Sequence, residues 1–276
     1  MNIRGKLIKT DTPKVMGILN LTPDSFYSGS RLSDAHFAIS RAESMLQEGA
    51  DILDIGAQST RPGAQLLSVE EEWGRLEKPL KEIVRDFPEA VISVDTFYSE
   101  IARRAVDGGA HIINDVSGGS MDAQMFETIA ALRFPYILMH MRGTPDTMKT
   151  FAIYDNVVQE VAQELSGKLN QLRQLGVADV IVDPGFGFAK TIAHNFQLLH
   201  GLDYLNLLFE EPILAGFSRK SMIYKTLDIS PEEALEGTVA LNAIALQKGA
   251  TFLRVHDVKP AVQAVRLHEA MKNSII

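Results

Sequence analysis

Short apolar runs rich in β-branched residues recur along the chain, and segments with helical periodicity separate most of them. Eight of these runs predict buried strands, at residues 15–20, 51–56, 90–95, 111–116, 135–140, 179–185, 212–218 and 251–257. Helical periodicity is clearest in residues 34–49, 69–87, 154–176 and 231–249. Several of the predicted helices end at a glycine just before the next strand, which is typical of a helix C-cap followed by a short loop.

Strands that alternate with helices predict right-handed βαβ units and a parallel sheet. Eight units in 276 residues predict an α/β chain folded as one (β/α)8 TIM barrel domain over residues 1–276, since this fold typically takes about 250 residues. An open doubly wound sheet is the alternative. It is disfavoured because no Gly-x-Gly-x-x-Gly motif follows the first strand, and DPGFGF at 183–188 lies late in the chain without that spacing.

Polar residues stand at the C-terminal end of every predicted strand, where a barrel enzyme carries its chemistry. In chain order they are Asn20, Asp54, Asp95, Asn114 with Asp115, His140, Asp183, Ser218 with Arg219 and Lys220, and Arg254 with His256 and Asp257. Helix capping explains an aspartate at any one of these positions, and a lone histidine such as His140 is typical of a hydrogen-bonded structural residue. Their coincidence on one rim favours a common ligand, because buried charges need partners.

The mixture of side chains indicates a heterocycle that carries an anionic group. Carboxylates and asparagine suit a planar ring with N–H donors and carbonyl acceptors, such as a 2-amino-pyrimidinone edge. Arginine, lysine and histidine suit a phosphate or a carboxylate. Two long loops, NLTPDSFYSGSR and GAQSTRPGAQLLS, follow the first two strands. Loops of this length are typical of lids or ligand clamps, with disordered insertions as the alternative.

The charge and the cysteine count exclude several classes of function. A formal net charge of -8 disfavours nucleic acid and anionic membranes as partners, so an anionic ligand must bind in a local basic pocket. With no cysteine, neither a disulfide framework nor a thiolate metal site is possible, and a reducing cytoplasm is the expected location. The N-terminus lacks the apolar core of a signal peptide, and no apolar run approaches the roughly 20 residues that span a bilayer.

Eight motifs together resemble the dihydropteroate synthase family of pterin-binding barrels, and the match runs nearly end to end. They are GILNLTPDSF (17–26), STRPGA (59–64), SVDT (93–96), IINDVSGG (112–119), MHMRGTP (139–145), DPGFGFAK (183–190), GFSRKS (216–221) and RVHDV (254–258). The resemblance implies a transferase of folate biosynthesis that joins (7,8-dihydropterin-6-yl)methyl diphosphate to 4-aminobenzoate and releases pyrophosphate. It also implies a Mg²⁺ ion, a homodimer and a target for sulfonamides.

The resemblance further implies which residues bind the pterin diphosphate and carry the catalysis. Matches to the residues that hold the pterin ring or line its pocket are Asp95, Asn114, Asp183, Lys220, Met139 and Phe188. Matches to the residues that contact the diphosphate are Thr60, Arg61, Arg254 and His256. Asn20 matches the magnesium ligand, and Asp95, Lys220, Arg254 and His256 are the expected catalytic residues.

The aminobenzoate is expected near Phe26, Pro62, Arg219 and Ser221, by the same resemblance. Lys220 is expected to point inward to the pterin, while Arg219 points outward and bridges neighbouring loops. Two loop positions differ from the common family pattern, because Gln58 stands in place of an acid and Ser28 in place of an aspartate. Both differences remove negative charge from the loops that fold over the site.

The chemistry favours a dissociative, SN1-like displacement, because an arylamine is a weak nucleophile and no strong base stands out to activate it. Magnesium, arginine and histidine would neutralise the leaving diphosphate, and Asp95 would stabilise the pterin methyl cation. Two alternatives remain open. One is a pterin-binding methyltransferase with a corrinoid partner on the same barrel, and the other is a non-catalytic paralogue that binds pterin.

Overall fold

A short antiparallel hairpin precedes the main sheet in the structure, which is a computed structural model that describes residues 2–3, 6–7, 10–21, 31–59 and 66–274. The hairpin pairs β1 (Asn2–Ile3) with β2 (Lys6–Leu7). The apolar pattern of the sequence does not predict it, since each strand has only two residues.

Eight parallel strands form the main sheet within the described residues, one for each predicted run. They are β3 (Lys14–Asn20), β4 (Ile52–Gly56), β5 (Val91–Asp95), β6 (Ile112–Asp115), β7 (Tyr136–Met139), β8 (Val180–Asp183), β9 (Leu214–Ala215) and β10 (Phe252–Val255). The strand order is β8-β7-β6-β5-β4-β3-β10-β9. Strand β9 is much shorter than predicted.

The sheet closes between β8 and β9, at the two ends of the strand order. Val182 forms a parallel bridge with Ile213, and its amide donates to the carbonyl oxygen of Pro212 at 2.9 Å. The molecule is therefore a (β/α)8 barrel, as predicted, and the alternative of an open doubly wound sheet is wrong.

Helices cover the outside of the barrel. They are α1 (Arg31–Gln47), α2 (Val69–Asp86), α3 (Ser99–Asp107), α4 (Met125–Leu132), α5 (Val157–Gln174), α6 (Ile192–His200), α7 (Leu202–Leu208), α8 (Ser221–Leu227), α9 (Leu235–Gln247) and α10 (Val258–Lys272). Ser68 and Glu71 form a capping box that starts α2. Among the residues described, none of these helices has both the length and the apolar character that crossing a bilayer requires.

A ring of apolar side chains, with one residue from each strand, fills the lower part of the barrel. Its members are Met16, Ile52, Val91, Ile112, Ile137, Ile181, Leu214 and Phe252. Side chains at odd steps along the same strands, such as Leu53 and Ile113, belong instead to the larger core between sheet and helices. Burial of each such aliphatic side chain contributes about 1.5–3 kcal/mol, so both faces of the sheet stabilise the fold.

A second interior layer lies two residues further along each strand, because strand side chains alternate with a period of two. This layer consists of Ile18, Asp54, Ser93, Asn114, Met139, Asp183, Gly216 and Arg254. Five of its eight members are polar or charged. The barrel interior therefore changes from apolar to polar toward the C-terminal ends of the strands, and this change positions the candidate site.

Candidate active site

A cavity opens at the C-terminal mouth of the barrel, where about 410 Å³ is free of protein atoms and part of that space is open solvent. Its lining residues come from six of the eight strands and the turns that follow them. They are Ile18, Asn114, Val116, Met139, Asp183, Phe188, Gly216, Ser218, Lys220, Arg254 and His256. The cavity thus brings together seven of the residues predicted for pterin diphosphate binding, from parts of the chain more than 140 residues apart.

Arg254 joins the floor of this cavity to two carboxylates. Its Nε donates to Oδ2 of Asp54 at 2.7 Å, and its Nη2 donates to Oδ2 of Asp95 at 2.7 Å. Asn114 Nδ2 also donates to Asp54 Oδ2, at 3.0 Å. Asp95 is therefore held directly behind a lining residue, although it does not itself line the cavity. Asp54, a strand-end residue to which the family resemblance assigns no role, thus positions Asn114 and Arg254, to which the resemblance does assign one.

Burial changes the protonation of this cluster. It raises the pKa of Asp95 to about 7, against the opposing attraction of Arg254, and the neighbouring Asp54 and Glu72 carboxylates raise it further. The two carboxylates in turn hold the pKa of Arg254 above its ordinary value despite the desolvation of the guanidinium. Asp54 Oδ1 is buried without a hydrogen-bond partner among the described residues. Asp54 does not line the cavity, so a ligand there would meet Asn114 and Arg254 rather than this oxygen.

Asp183 and Lys220 form the opposite wall. Asp183 Oδ1 accepts from the amide of Gly185 at 2.7 Å, while Lys220 Nζ donates to the carbonyl oxygen of Phe186 and lies 4.8 Å from the ring centroid of Phe188. Burial lowers the pKa of Lys220 to about 8, an effect that Asp183 partly opposes. Lys220 is therefore largely protonated at neutral pH, and the Asp183 carboxylate on the same wall stabilises its charge.

His256 is fixed at the rim by Ser218. The Ser218 hydroxyl lies 2.9 Å from His256 Nδ1 and accepts from the His256 amide at 3.1 Å. Since that hydroxyl accepts from the amide, its own hydrogen is free to point at Nδ1, which favours the tautomer with the proton on Nε2. Burial and the Arg254 charge lower the pKa of His256 to about 4. A neutral N–H donor is therefore available at the mouth.

Arg219 and Lys220 point to opposite sides of the turn that starts α8. Arg219 has a positive φ of 56° and forms two hydrogen bonds to the Asp257 carboxylate, at 3.0 and 2.9 Å. A third donation reaches the carbonyl oxygen of Glu232 at 3.4 Å. Arg219 thus bridges neighbouring loops, and Asp257 compensates its charge. Ser221 follows as the first residue of α8.

Asp115 and His140 are among the strand-end polar residues that do not reach the cavity, contrary to the expectation of a single polar rim. Asp115 accepts from the hydroxyls of Tyr136 and Ser117, both at 2.7 Å, on the outer face of the sheet. His140 lies between Glu164 and Lys190, at 3.1 and 3.0 Å. Both are one residue out of phase with the interior layer, and the strand period explains their direction.

The two long loops account for the predicted residues that fall outside the described part of the chain. These are Phe26, Ser28, Thr60, Arg61 and Pro62.

Gln58, at the start of the second loop, lies within the part of the chain that the structure describes. Its Nε2 donates to Glu72 Oε2 at 2.8 Å and to the carbonyl oxygen of Leu67 at 3.1 Å, while its Oε1 accepts from the Leu67 amide. An acid at this position would lack these donations and would meet the Glu72 carboxylate.

Asn20 ends β3 at the barrel mouth and is exposed. The residues that the structure describes contain no group of three or more acidic, histidine or cysteine side chains able to hold a metal ion. A lone amide oxygen suits Mg²⁺, since this ion keeps several waters and takes further ligands from substrate phosphates. The donor set therefore fits magnesium carried with a diphosphate rather than a closed protein cage.

Known proteins are similar to this chain in sequence and in architecture. The family described as pterin binding enzyme matches residues 16–256. The chain is 42% identical to dihydropteroate synthase of Escherichia coli (strain K12), over 97% of this chain and 94% of the relative. It is 44% identical to the mitochondrial folate synthesis bifunctional protein of Pisum sativum, over 93% of this chain, and spans about half (53%) of that longer relative.

A solved structure is also similar. Dihydropteroate synthase of Xanthomonas albilineans with 4-aminobenzoic acid superposes with a TM-score of 0.91 at 39% identity, over 99% of this chain and 97% of the other. The likeness therefore covers the whole barrel and the cavity at its mouth.

Proposed function

Because this chain belongs to the pterin-binding enzyme family and, within it, to the dihydropteroate synthases, we propose that its barrel mouth condenses (7,8-dihydropterin-6-yl)methyl diphosphate with 4-aminobenzoate. The products are 7,8-dihydropteroate and pyrophosphate. The observation that carries this proposal is the convergence of Asn114, Asp183, Lys220 and Arg254 on one cavity.

The cavity suits a flat heterocycle. Apolar side chains of Ile18, Val116 and Met139 line it beside the polar groups. The Asp183 carboxylate accepts N–H bonds from a 2-amino-pyrimidinone edge, and the Lys220 ammonium donates to the ring carbonyl. The ammonium has three hydrogens, so Lys220 can keep its bond to the carbonyl of Phe186 while it makes this contact. The N–H donors of the ring then face an acceptor, and its carbonyl oxygen faces a donor.

The leaving diphosphate is assigned to the side of the cavity that Arg254 and His256 line. Arg254 supplies a permanent positive charge there, and His256 donates an N–H bond as a neutral imidazole, as its lowered pKa requires. Asn20 would hold Mg²⁺ beside the diphosphate, and the ion when bound would neutralise part of the charge that develops on the leaving oxygen.

The displacement is proposed to be dissociative. The bond between the pterin methylene carbon and the diphosphate oxygen breaks first, and its electron pair leaves with pyrophosphate. Ionised Asp95 stabilises the resulting cation electrostatically. The aniline nitrogen then forms the new C–N bond and loses its proton to the released pyrophosphate or to water. No general base among the described cavity residues is needed for this route.

The aminobenzoate site is proposed at the outer rim, near Arg219 and Ser221. The Xanthomonas albilineans relative is described with 4-aminobenzoic acid, which supports this part of the substrate pair. Asp257 neutralises much of the Arg219 charge, so Arg219 contributes mainly by fixing the turn that carries Ser221.

Pyrophosphate release tests the proposal directly. The purified protein is mixed with the pterin diphosphate, with and without 4-aminobenzoate and with and without Mg²⁺, and both pyrophosphate and dihydropteroate are measured. Formation of dihydropteroate that depends on both substrates supports the function. A protein that binds pterin without releasing pyrophosphate would instead be the non-catalytic paralogue, and methyl transfer to a cobalamin protein would indicate the methyltransferase.

A homodimer is proposed through the surface of α7, α9 and α10, here called the α7/α9/α10 face. It exposes Tyr204, Leu207, Ile244, Leu267 and Met271, with Leu207 86% and Leu267 73% exposed. Contacts of Gln247 with Met271 and of Lys248 with Asp203 tie the three helices together. An apolar surface of this kind is typical of a contact between subunits.

A cytoplasmic location is proposed as well, in accord with the absence of cysteine from the sequence. Cell fractionation with an antibody against the native protein tests it.

A further inference from the structure

Lys190 lies behind the turn that follows β8 and does not line the cavity. Its Nζ donates to the carbonyl oxygens of Gly185 at 2.9 Å and Phe188 at 3.1 Å, and it lies 3.0 Å from Nδ1 of His140. An ammonium has three hydrogens, and here each has one acceptor. The proposed mechanism uses none of these contacts.

The partners of Lys190 specify its protonation state. Glu164 Oε2 lies 3.1 Å from Nε2 of His140, and Arg142 Nε holds the other oxygen of Glu164 at 2.9 Å. Because the carboxylate only accepts, His140 carries its proton on Nε2 and accepts at Nδ1. A neutral amine at Lys190 would have only two hydrogens for these three acceptors, so the arrangement requires the ammonium.

The turn that Lys190 holds carries part of the cavity wall. Phe188 lines the cavity, and Phe186 offers its carbonyl to Lys220 on the cavity side. The backbone is in the left-handed region at Gly185, Gly187 and Ala189, with φ of 73°, 85° and 49°. A Cβ at Gly185 would lie 1.9 Å from the His140 carbonyl oxygen. A turn with this backbone needs fixed partners to keep one conformation.

We propose that Lys190 is a positioning residue for the pterin site, whose ammonium fixes the Gly185–Phe188 turn from behind and thereby places Phe188 and the Phe186 carbonyl against the cavity. The inference depends on the proposed function for the identity of the ligand. It adds a residue that acts through the turn and touches no substrate.

Charges of both signs face this ammonium. Asp183 of β8 and Glu164 of α5 stabilise it, while Lys220 at the start of α8 and Arg142 after β7 oppose it. His140 contacts it as a neutral ring, because burial lowers the pKa of His140 to about 4. Desolvation outweighs the two carboxylates and lowers the pKa of Lys190 to about 7. The turn therefore loses one hydrogen bond as pH rises through this value, and pterin binding weakens in that direction.

Lys190→Met tests the role against a matched control. Lys248→Met also removes a lysine that donates to a carbonyl oxygen and to a second partner, but Lys248 ends α9 and is not among the residues that line the cavity. We expect Lys190→Met to lower kcat/KM for the pterin diphosphate by about tenfold, mostly through KM, as the loss of charged hydrogen bonds predicts. Lys248→Met should stay within about twofold of the parent protein. Equal values for the two variants would overturn the inference.

Chemical rescue separates positioning from a loss of folding. The chain has no cysteine, so Lys190→Cys introduces a single thiol that 2-bromoethylamine converts to γ-thialysine. We expect the alkylated protein to regain the pterin KM that the unalkylated variant loses. Because the sulfur makes the ammonium more acidic, the alkaline loss of kcat/KM should also occur at lower pH in the alkylated variant than in the parent protein. Lys220 is present in both proteins, so its titration does not contribute to this difference.

Two results would contradict the inference: no rescue by alkylation, or rescue with an unmoved pH profile. If the parent protein itself forms no dihydropteroate, the proposed function fails, whereas an active parent with an equally active Lys190→Met variant removes only the role of Lys190.

Discussion

Arg254 and Asp95 form an ion pair across the barrel interior, with 2.7 Å between Nη2 and Oδ2. Their side chains are 20% and 14% exposed, and 159 residues separate them in the sequence. The cation assigned to the leaving diphosphate therefore contacts the carboxylate assigned to the developing pterin cation. This ion pair thus joins the residue proposed to bind the leaving group to the residue proposed to stabilise the pterin cation.

Asp95→Asn should slow single-turnover pyrophosphate release by about 100-fold, because it removes the negative charge that stabilises the cation but keeps the shape. Rapid quenching of enzyme in excess over the pterin diphosphate measures this step. Asp203→Asn, an exposed change on α7, is the control. An unchanged rate of release in Asp95→Asn would show that Asp95 has no such electrostatic role.

Asp54→Asn should destabilise the fold by about 3 kcal/mol, because it leaves the Arg254 guanidinium with one carboxylate in a largely buried position. Urea unfolding of Asp54→Asn, Arg254→Gln and the double variant measures the coupling between the two side chains. We expect a coupling of about 2 kcal/mol. Strictly additive effects would mean that the contact contributes no net stability.

The stability of the protein should fall as pH decreases from about 6.5 to 4, partly because of His140. Its folded pKa of about 4 is below the ordinary value of 6.5, so the unfolded chain binds more protons in this window and acid favours unfolding. The loss assigned to His140 is about 3 kcal/mol. His256 titrates with the same sign, and Asp95, whose pKa is raised, opposes both.

Unfolding curves of the parent and His140→Gln across this window isolate the His140 contribution as a difference. Glutamine retains one donor and one acceptor but does not titrate. The slope of stability against pH should therefore be smaller by up to one proton in the variant. Parallel curves would contradict the lowered pKa of His140.

Asn20→Ala should raise the Mg²⁺ concentration for half-maximal pyrophosphate release by about tenfold, which corresponds to loss of one oxygen ligand. Chelation of Mg²⁺ should stop release in the parent protein and in the variant. Asn170→Ala, at an exposed position of α5, serves as the matched control. If both variants respond to Mg²⁺ as the parent does, Asn20 is not a ligand.

Leu207→Glu combined with Leu267→Glu should convert a dimer into a monomer, because each change puts a charge into the proposed apolar contact. Sedimentation velocity at several protein concentrations measures the association. Ile153→Glu, at an exposed residue in the loop between β7 and α5, should leave the dimer intact. A parent protein that sediments as a monomer would refute the proposed interface.

The barrel could be predicted from the sequence because each strand is a buried apolar run, and because helical periodicity ending at a glycine separates several of these runs. The direction of the polar side chains could be predicted only in part. Met139 and His140 are adjacent, and the period of two sends the first into the cavity and the second toward α5. The same alternation sends Asn114 and His256 toward the cavity, and Asp115 and Asp257 away from it.

The partners of Asp54 could not be predicted from the sequence. Asn114 and Arg254 lie 60 and 200 residues away, and only closure of the barrel brings them together. The Lys190 contacts have the same origin, since they depend on the path of the turn after β8. The residues of the two long loops remain predictions, which substrate-binding measurements on their variants would test.

The alternation of inner and outer side chains along the strands limits which sequence changes the barrel can tolerate. A substitution in a strand changes one wall of the barrel at one level, but a one-residue insertion or deletion there would exchange inner and outer faces from that point onward. In β6 such a slip would turn Asp115 inward and Asn114 toward the helices. Changes in length should therefore survive selection only in the connecting loops, and homologous genes should differ in size there while their strands stay in phase.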